Sequence, residues 1–478
     1  MGSEGVVKYK PYGYQQRVYE QVMDKIDNGE RSIIIGMATR SGKSIVALLL
    51  IEYFSTMLKE SVYFVGHTNI LLTQMSDDLT ENKIRHGIIA PWAPSLQYKV
   101  QVISKDTMFN RYKKMKESGW KNPRIIIVDE CHISMSKRYR EILDSYPDSI
   151  IIGLTATIIR LDGKGFDDVY NTIVTGPSIK ELQKMEKLCP IDNYVVDFDT
   201  AGIRTSQGDY NKKDVAERVD KPMVLKNVVK HWELFAKGKK TLTFCASIQH
   251  AEDMAKEFND AGYPSVHISS KDGRKEIKQK IDDYYSGKYI NLCSVNLFIM
   301  GFTIRDCECI VQARPTQSLM IYLQSLGRGM MFVIGKILIN LDMCNNYTRH
   351  GLPDEDRIWE LKGREKTKIQ EPSKYKRCPQ CFRPVKVHNR NCPWCDYEFE
   401  YTASRIPAQK KGSLRKIESG SVRTAVSGWS NPENQRLLKL IAATAKNVSD
   451  AKRIAVEAGQ TSGKGWMIWT KILKRKSY

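Results

Sequence analysis

A chain of 478 residues exceeds what one ordinary core accommodates, and about 150 residues per domain suggests roughly three units. With 41% hydrophobic residues the composition is that of a globular protein; no apolar run approaches the roughly 18 residues that span a bilayer, so a soluble protein without a membrane partner is expected. Lys and Arg number 75 against 54 Asp and Glu, a net charge of +21 that favours a polyanionic partner, and residues 401–478 alone hold 16 basic and 4 acidic side chains.

In chain order, the Ile- and Val-rich runs 32–37, 61–67, 98–104, 124–130 and 149–157 alternate with amphipathic stretches and read as buried parallel strands of a βαβ sheet. A polar stretch at 198–222 reads as a surface connection. A second series, 240–247, 265–270, 289–295, 307–314 and 336–342, predicts another sheet. The expected class is α/β: two tandem parallel-sheet domains (1–190 and 191–345), a linker (346–372), a cysteine module (373–400) and a basic, partly helical C-terminal region (401–478).

The run IIIGMATRSGKS places Thr39, Arg40, Ser41, Gly42, Lys43 and Ser44 between a strand and a helix. Amides at such a turn wrap a triphosphate, Lys43 reaches its outer phosphates and the Ser44 hydroxyl holds Mg2+. The spacing of a strict phosphate loop would put glycine at 37, where Met37 stands, and Arg40 replaces a frequent mid-loop glycine. IIIVDECH then ends a strand with Asp129, suited to Mg2+, and Glu130, suited to activating water.

With TAT (Thr155, Ala156, Thr157) after a further strand, these motifs resemble the superfamily 2 helicases over roughly residues 9 to 345, and within them the RadD-type and phage UvsW-like branch-migration helicases. The resemblance implies two RecA-like domains with ATP between them. It makes Gln15 the reader of adenine, adds His132 and Gln324 to the ATP site, and gives His67, Gln74 and Ser104 contacts to the nucleic-acid backbone. Thr155 and Thr157 then couple ATP to domain motion, although Ile158 replaces a usual proline. In QSLGRGMM, Gln324, Gly327 and Arg328 match the arginine motif, and Arg328 faces the γ-phosphate; Met331 stands where a second arginine is usual. Ile299, Met300 and Thr303 also depart from the family pattern, leaving open both slowed hydrolysis and near-normal turnover.

KRCPQCFRPVKVHNRNCPWCDYEF supplies two C-x₂-C pairs, and Cys378, Cys381, Cys392 and Cys395 are the soft ligands of a closed, structural Zn2+ site. The module's Arg377, Arg383, Lys386, Arg390, Phe382 and Trp394 read as a phosphate-contacting, stacking mixture. The other seven cysteines sit among apolar residues and read as reduced core residues. Leu437, Leu438, Leu440, Ile441, Ala445, Ile454 and Ala455 recur at helical spacing in the tail, where Trp429, Trp466 and Trp469 add to a DNA-binding reading.

The expectation is an ATP-dependent DNA helicase or translocase that uses ATP, Mg2+ and Zn2+ and remodels forked, branched or single-stranded DNA in repair, recombination or replication. It would act as a monomer, alongside repair or replication proteins, in the cytoplasm of a bacterial or phage-infected cell. An RNA helicase, and a DNA-binding scaffold with an impaired ATPase, remain the alternatives.

Overall fold

The computed structural model describes residues 10–94, 96–133, 137–160, 165–206, 208–295, 304, 306–362, 373–400, 440–441, 443–444 and 447–457. Residues 1–400 form one compact unit and residues 401–478 a second.

The first domain runs α1 (Gly13–Asp27), β1 (Ser32–Gly36), α2 (Lys43–Glu52), β2 (Val62–Gly66), α3 (Asn69–Glu81), β3 (His86–Ile89), β4 (Val100–Ser104), α4 (Lys105–Glu117), β5 (Ile125–Val128), α5 (Lys137–Asp144), β6 (Ile150–Thr155), β7 (Thr172–Thr175) and α6 (Ile179–Lys184). Its seven strands are ordered β3-β4-β2-β5-β6-β1-β7, every pairing parallel. Successive side chains on a strand point to opposite faces, so Ile33, Ile35, Ile125 and Ile127 join one core cluster while Ile34, Ile126 and Val128 join another. Helices cover both faces, which is why these strands read as continuous apolar runs.

The second domain runs β8 (Ile191–Val195), β9 (Thr205–Ser206), β10 (Asp209–Tyr210), α7 (Lys212–Val219), α8 (Pro222–Ala236), β11 (Thr241–Phe244), α9 (Ile248–Asp260), β12 (Ser265–Ile268), α10 (Arg274–Tyr285), β13 (Asn291–Ser294), β14 (Cys309–Gln312), α11 (Leu319–Gly327), β15 (Leu338–Asp342) and α12 (Asn346–His350). Its parallel sheet is ordered β12-β13-β11-β14-β15-β8. The architecture is that of two RecA-like α/β domains. All seven scattered cysteines are buried.

Two stretches differ from the sequence reading. Residues 198–222 hold the β9–β10 hairpin and α7 rather than a bare surface connection. Asp209 there pairs with Arg314 at 2.7 Å and accepts bonds from the Thr316 hydroxyl and the Gln317 amide, so the hairpin braces the loop after β14. The stretch read as a linker is ordered along its described part, 346–362. Arg357 donates to the carbonyls of His350, Leu352, Pro353 and Glu355, holding the strap in shape. Trp359 and Leu361 pack against the first domain's core, and the Leu361 carbonyl accepts from the Phe166 amide at 2.6 Å. The strap thus returns from the second domain to the first.

The cysteine module forms the antiparallel pair β16 (Tyr375–Arg377) and β17 (Pro384–Lys386) and docks on the edge strand β8. In the second unit, helix Val448–Glu457 is described, with Ala451, Ile454 and Ala455 buried. Leu437, Leu438, Ala445, Trp429, Trp466 and Trp469 lie outside the described residues.

Candidate ATPase cleft and cysteine ribbon

The C-terminal end of β1 delivers the chain into the loop 37–42, and α2 begins at Lys43. The Lys43 ammonium donates to the Met37 carbonyl at 3.4 Å, so the side chain folds back over the loop that its residue closes. Gly42 has φ 82°, and a Cβ there would come within 2.2 Å of Gln15 Nε2, so this glycine is required both by conformation and by space. The Gln15 amide is fully engaged: Nε2 donates to the Ser41 carbonyl at 3.0 Å and Oε1 accepts from the Tyr12 amide at 2.8 Å. Tyr14 adds a bond to the same Ser41 carbonyl, at 2.9 Å. In this state Gln15 braces the phosphate loop from outside.

Asp129 and Glu130 follow β5. Asp129 accepts from the Glu130 amide at 2.9 Å, and Glu130 takes a left-handed φ of 47° that turns its carboxylate out of the strand direction. Burial, then Glu130, pushes the Asp129 carboxyl up to about 7, opposed by Lys43. Asp129 and Glu130, adjacent in the chain and with Lys43 acting on the buried Asp129, are a donor set that fits a divalent cation.

His132 is buried and neutral; burial, then Lys43, lowers its pKa to about 3. Its Nδ1 lies 3.0 Å from Thr155 Oγ1 and 3.3 Å from Glu130 Oε2. The single Thr155 hydroxyl proton goes to the Thr157 carbonyl at 2.8 Å, so Thr155 accepts from His132 and Nδ1 carries the imidazole proton. His132, Thr155 and Thr157 are therefore one hydrogen-bonded chain, with the Glu130 carboxylate beside the same His132 nitrogen. Thr155 is also the last residue of β6, whose carbonyl accepts the Met37 amide at the loop entrance.

The second domain closes on this surface. Gln324, on α11, donates to Glu130 Oε2 at 3.4 Å. Arg328 follows α11; burial, then Arg40, lowers its guanidinium to about 10, so it stays charged at neutral pH. Gly327 lies so close to the phosphate loop that a Cβ on it would come 2.4 Å from Thr39 Cγ2. Met331 makes an antiparallel bridge with Leu188, and the Cys189 amide donates to the Met330 carbonyl at 3.1 Å, so the end of the motif is pinned to the connector between the domains. Residues 299–303 lie outside the described residues. Behind the loop a cavity of about 240 Å³ is bounded by Met37, Ala38, Leu323, Met330 and the strap residues Arg357 and Trp359.

His67 follows β2, half-buried, and burial, then His132 and Lys105, lowers its pKa to about 4. Gln74 is exposed on α3, and Ser104 caps the start of α4. His67 and Ser104 stand at or just beyond the C-terminal ends of the adjacent strands β2 and β4, Gln74 lies further on within α3, and His132 acts electrostatically on His67. The contact that sequence reasoning missed is Arg40: its Nε donates to the Gly327 carbonyl at 2.8 Å, and its Nη2 to those of Ile304 and Arg328 at 3.1 and 3.3 Å. The one signal available was the arginine itself, at a place where glycine is frequent.

Cys378, Cys381, Cys392 and Cys395 converge, with all four sulfurs within 4.8 Å of one another and the pairs 378–395 and 381–392 each at 3.6 Å. Zn–S bonds of about 2.3 Å in a tetrahedron put sulfurs about 3.8 Å apart, so four thiolates here fit a closed zinc site. Two of the ribbon's arginines, Arg377 and Arg383, are engaged within the protein. Arg383 pairs with Asp192 at 2.7 Å and donates to the Tyr194 hydroxyl, Arg377 pairs with Asp197 at 2.7 Å, and the Val195 amide donates to the Phe382 carbonyl. The Phe382 ring packs on Phe235 and His231. These side chains attach the ribbon to β8 and α8; Trp394 stays 59% exposed, with Arg383 stacked on it.

Among known families, the model described as "Type III restriction enzyme, res subunit" matches residues 8–160 and the "Helicase conserved C-terminal domain" model matches residues 220–331. The chain is 28% identical over 390 residues to a 51.5 kDa protein of Lactococcus phage (isolate 7-9), covering 81% of this chain and 82% of that one. It is 21% identical to the ATP-dependent DNA helicase uvsW of Enterobacteria phage T4, covering 68% and 66%. It spans less of several other curated relatives, between 44% and 59% of their length. The fold is similar to a fragment of an HsdR subunit of a type I restriction enzyme from Vibrio vulnificus, at TM-score 0.56 and 19% identity, covering 73% of this chain and 67% of that one. Among the described residues no helix is long and apolar enough to cross a membrane.

Proposed function

We propose that this chain, which belongs to the superfamily 2 helicases by its two matched domains, is a motor whose track is DNA and whose task is the remodelling of forked or branched DNA. ATP-dependent nucleic-acid remodelling follows from the family. The DNA reading draws on the resemblance to a phage DNA helicase and on the +21 charge, and the phage relatives favour action in an infected or bacterial cell during replication, recombination or repair.

The observation that carries the reading is Glu130, whose carboxylate lies 3.3 Å from His132 Nδ1 on one domain and accepts from Gln324 at 3.4 Å on the other. A carboxylate so placed activates water only when the cleft is closed. Backbone amides of residues 39–44 wrap the phosphates and Lys43 meets their outer oxygens. Ser44 and Asp129 would hold Mg2+, which would supply neutralisation of the triphosphate charge. Glu130 takes the proton of the attacking water, Arg328 faces the charge that grows on the leaving group, and His132, beside Glu130, passes a change there to Thr155 and Thr157. His67, beside His132, joins this chain to the edge where Gln74 and Ser104 would meet the nucleic-acid backbone.

The test is ATP turnover of the whole chain and of Lys43→Ala on single strands, duplexes, forks and four-way junctions, with a matched RNA fork. Turnover is expected to be highest on branched DNA and lost by at least about 10²-fold in Lys43→Ala. A wild-type rate no higher than that of Lys43→Ala defeats the motor reading, and equal stimulation by the RNA fork defeats the choice of DNA.

A further inference from the structure

Arg40 is a phosphate-loop residue whose side chain is spent on the other domain. Its backbone is left-handed, φ 65°, a conformation that suits glycine and strains an L-residue. Its guanidinium is buried, which lowers its pKa, and among the described residues no carboxylate forms an ion pair with it. Instead Nε and Nη2 donate to the carbonyls of Gly327, Ile304 and Arg328, at 2.8, 3.1 and 3.3 Å. A charged fork aimed at neutral acceptors, from a strained backbone, needs a reason, since glycine would make the loop without strain.

The turn that receives it is the one carrying Arg328. On its far side that turn is fixed within the second domain: a Cβ on Gly329 would meet Leu338 at 2.4 Å, and Met330 and Met331 are tied to the interdomain connector. On its near side it rests on the phosphate loop through Gly327 against Thr39 and through Arg40. Arg40, bonded to the Arg328 carbonyl, also lowers the Arg328 guanidinium, which Glu130 opposes, so the place of Arg40 bears on the field at Arg328.

We propose that Arg40 is a positioning residue of the ATPase cycle: anchored in the phosphate loop, it grips the turn that carries Arg328 and links closure of the cleft to the seating of that arginine. The inference rests on the motor reading above. It also gives the arginine motif a second tie in a chain that carries Met331 where another arginine is usual, supplied from the opposite wall of the cleft.

The experiment uses the full chain with saturating single-stranded DNA and compares wild type, Arg40→Gly, Arg40→Lys and Lys43→Ala. Arg40→Gly is expected to melt at or above the wild-type temperature because glycine relieves the strained φ. It should keep KM for ATP within about threefold while kcat falls by about 10²-fold, the scale of a misplaced catalytic group. Arg40→Lys should recover part of kcat, since an ammonium cannot fork between carbonyls as a guanidinium does. Wild-type kcat in Arg40→Gly, or a loss that arises mainly in KM, overturns the proposal. A wild-type rate equal to that of Lys43→Ala instead removes the motor reading, and this inference with it.

Discussion

Arg40 and Arg383 both reach into the second domain, yet their surroundings have little in common. Arg383 meets a carboxylate, a tyrosine hydroxyl and two aromatic rings, next to the turn between β16 and β17 whose Phe382 carbonyl accepts from the Val195 amide on β8. Arg40 meets three carbonyls and no carboxylate among the described residues, beside a glycine packed on a threonine. Burying a guanidinium without a counter-charge loses solvation that neutral acceptors only partly restore. The cleft is thus held by a contact near balance, suited to being made and broken. The ribbon is held by apolar burial and complementary charge, suited to staying in place. A motor needs both kinds of joint, and this chain builds them with the same residue type.

The largest effect is expected where the strap leaves α12, at the joint that Arg357 closes on the His350 carbonyl. His350, stacked on Tyr322 with its Nε2 donating to the Thr316 carbonyl, is held neutral, its pKa lowered by burial to about 4. Because the folded value lies below the unfolded value of about 6.5, its contribution is present above about pH 6.5 and is lost as pH falls towards 4. Wild type is expected to lose about 2 kcal/mol more than His350→Gln between pH 7 and pH 5, measured by denaturant unfolding. Parallel curves for the two proteins would mean that this side of the domain does not depend on a neutral imidazole.

A smaller effect is expected at the ribbon seam. A double-mutant cycle of Arg383→Ala and Asp192→Ala should show coupling of about 1 kcal/mol, because the pair is only partly shielded from water. The same variants should leave ATP turnover within about twofold. Coupling near zero together with reduced turnover would reverse the roles assigned to the two joints. The smallest effect is expected of Met331→Arg. Arg328 already supplies the central charge, so turnover should rise by only about two- to threefold with DNA affinity unchanged; a tenfold rise would make the missing arginine the dominant defect.

Much of the fold was legible because parallel strands buried on both faces are apolar runs, and the ten strands read from sequence all formed. The strands β3, β7 and β8 lie at sheet edges and are more polar, and periodicity passed over them. The hairpin at 205–210 is two residues per strand, too short for a periodic signal, and only Asp209 pairing with Arg314, far along the chain, shows its purpose. The strap from 346 to 362 looked like a linker because its few apolar residues follow no strand or helix period; the partners of Trp359 and Leu361 belong to the first domain.

The sequence by itself determined the two-sheet class, the order of the phosphate-loop, DECH, TAT and arginine motifs, and the four-cysteine donor set. Each of these is a local pattern, set by residue type at short spacing. Tertiary structure alone decided which arginines are spent on docking and which on the cleft, where the strap lands, and which nitrogen of His132 carries its proton. Those outcomes depend on contacts between residues as many as 288 positions apart, as Arg40 and Arg328 are. Residue identity names a guanidinium, and the fold decides what it faces.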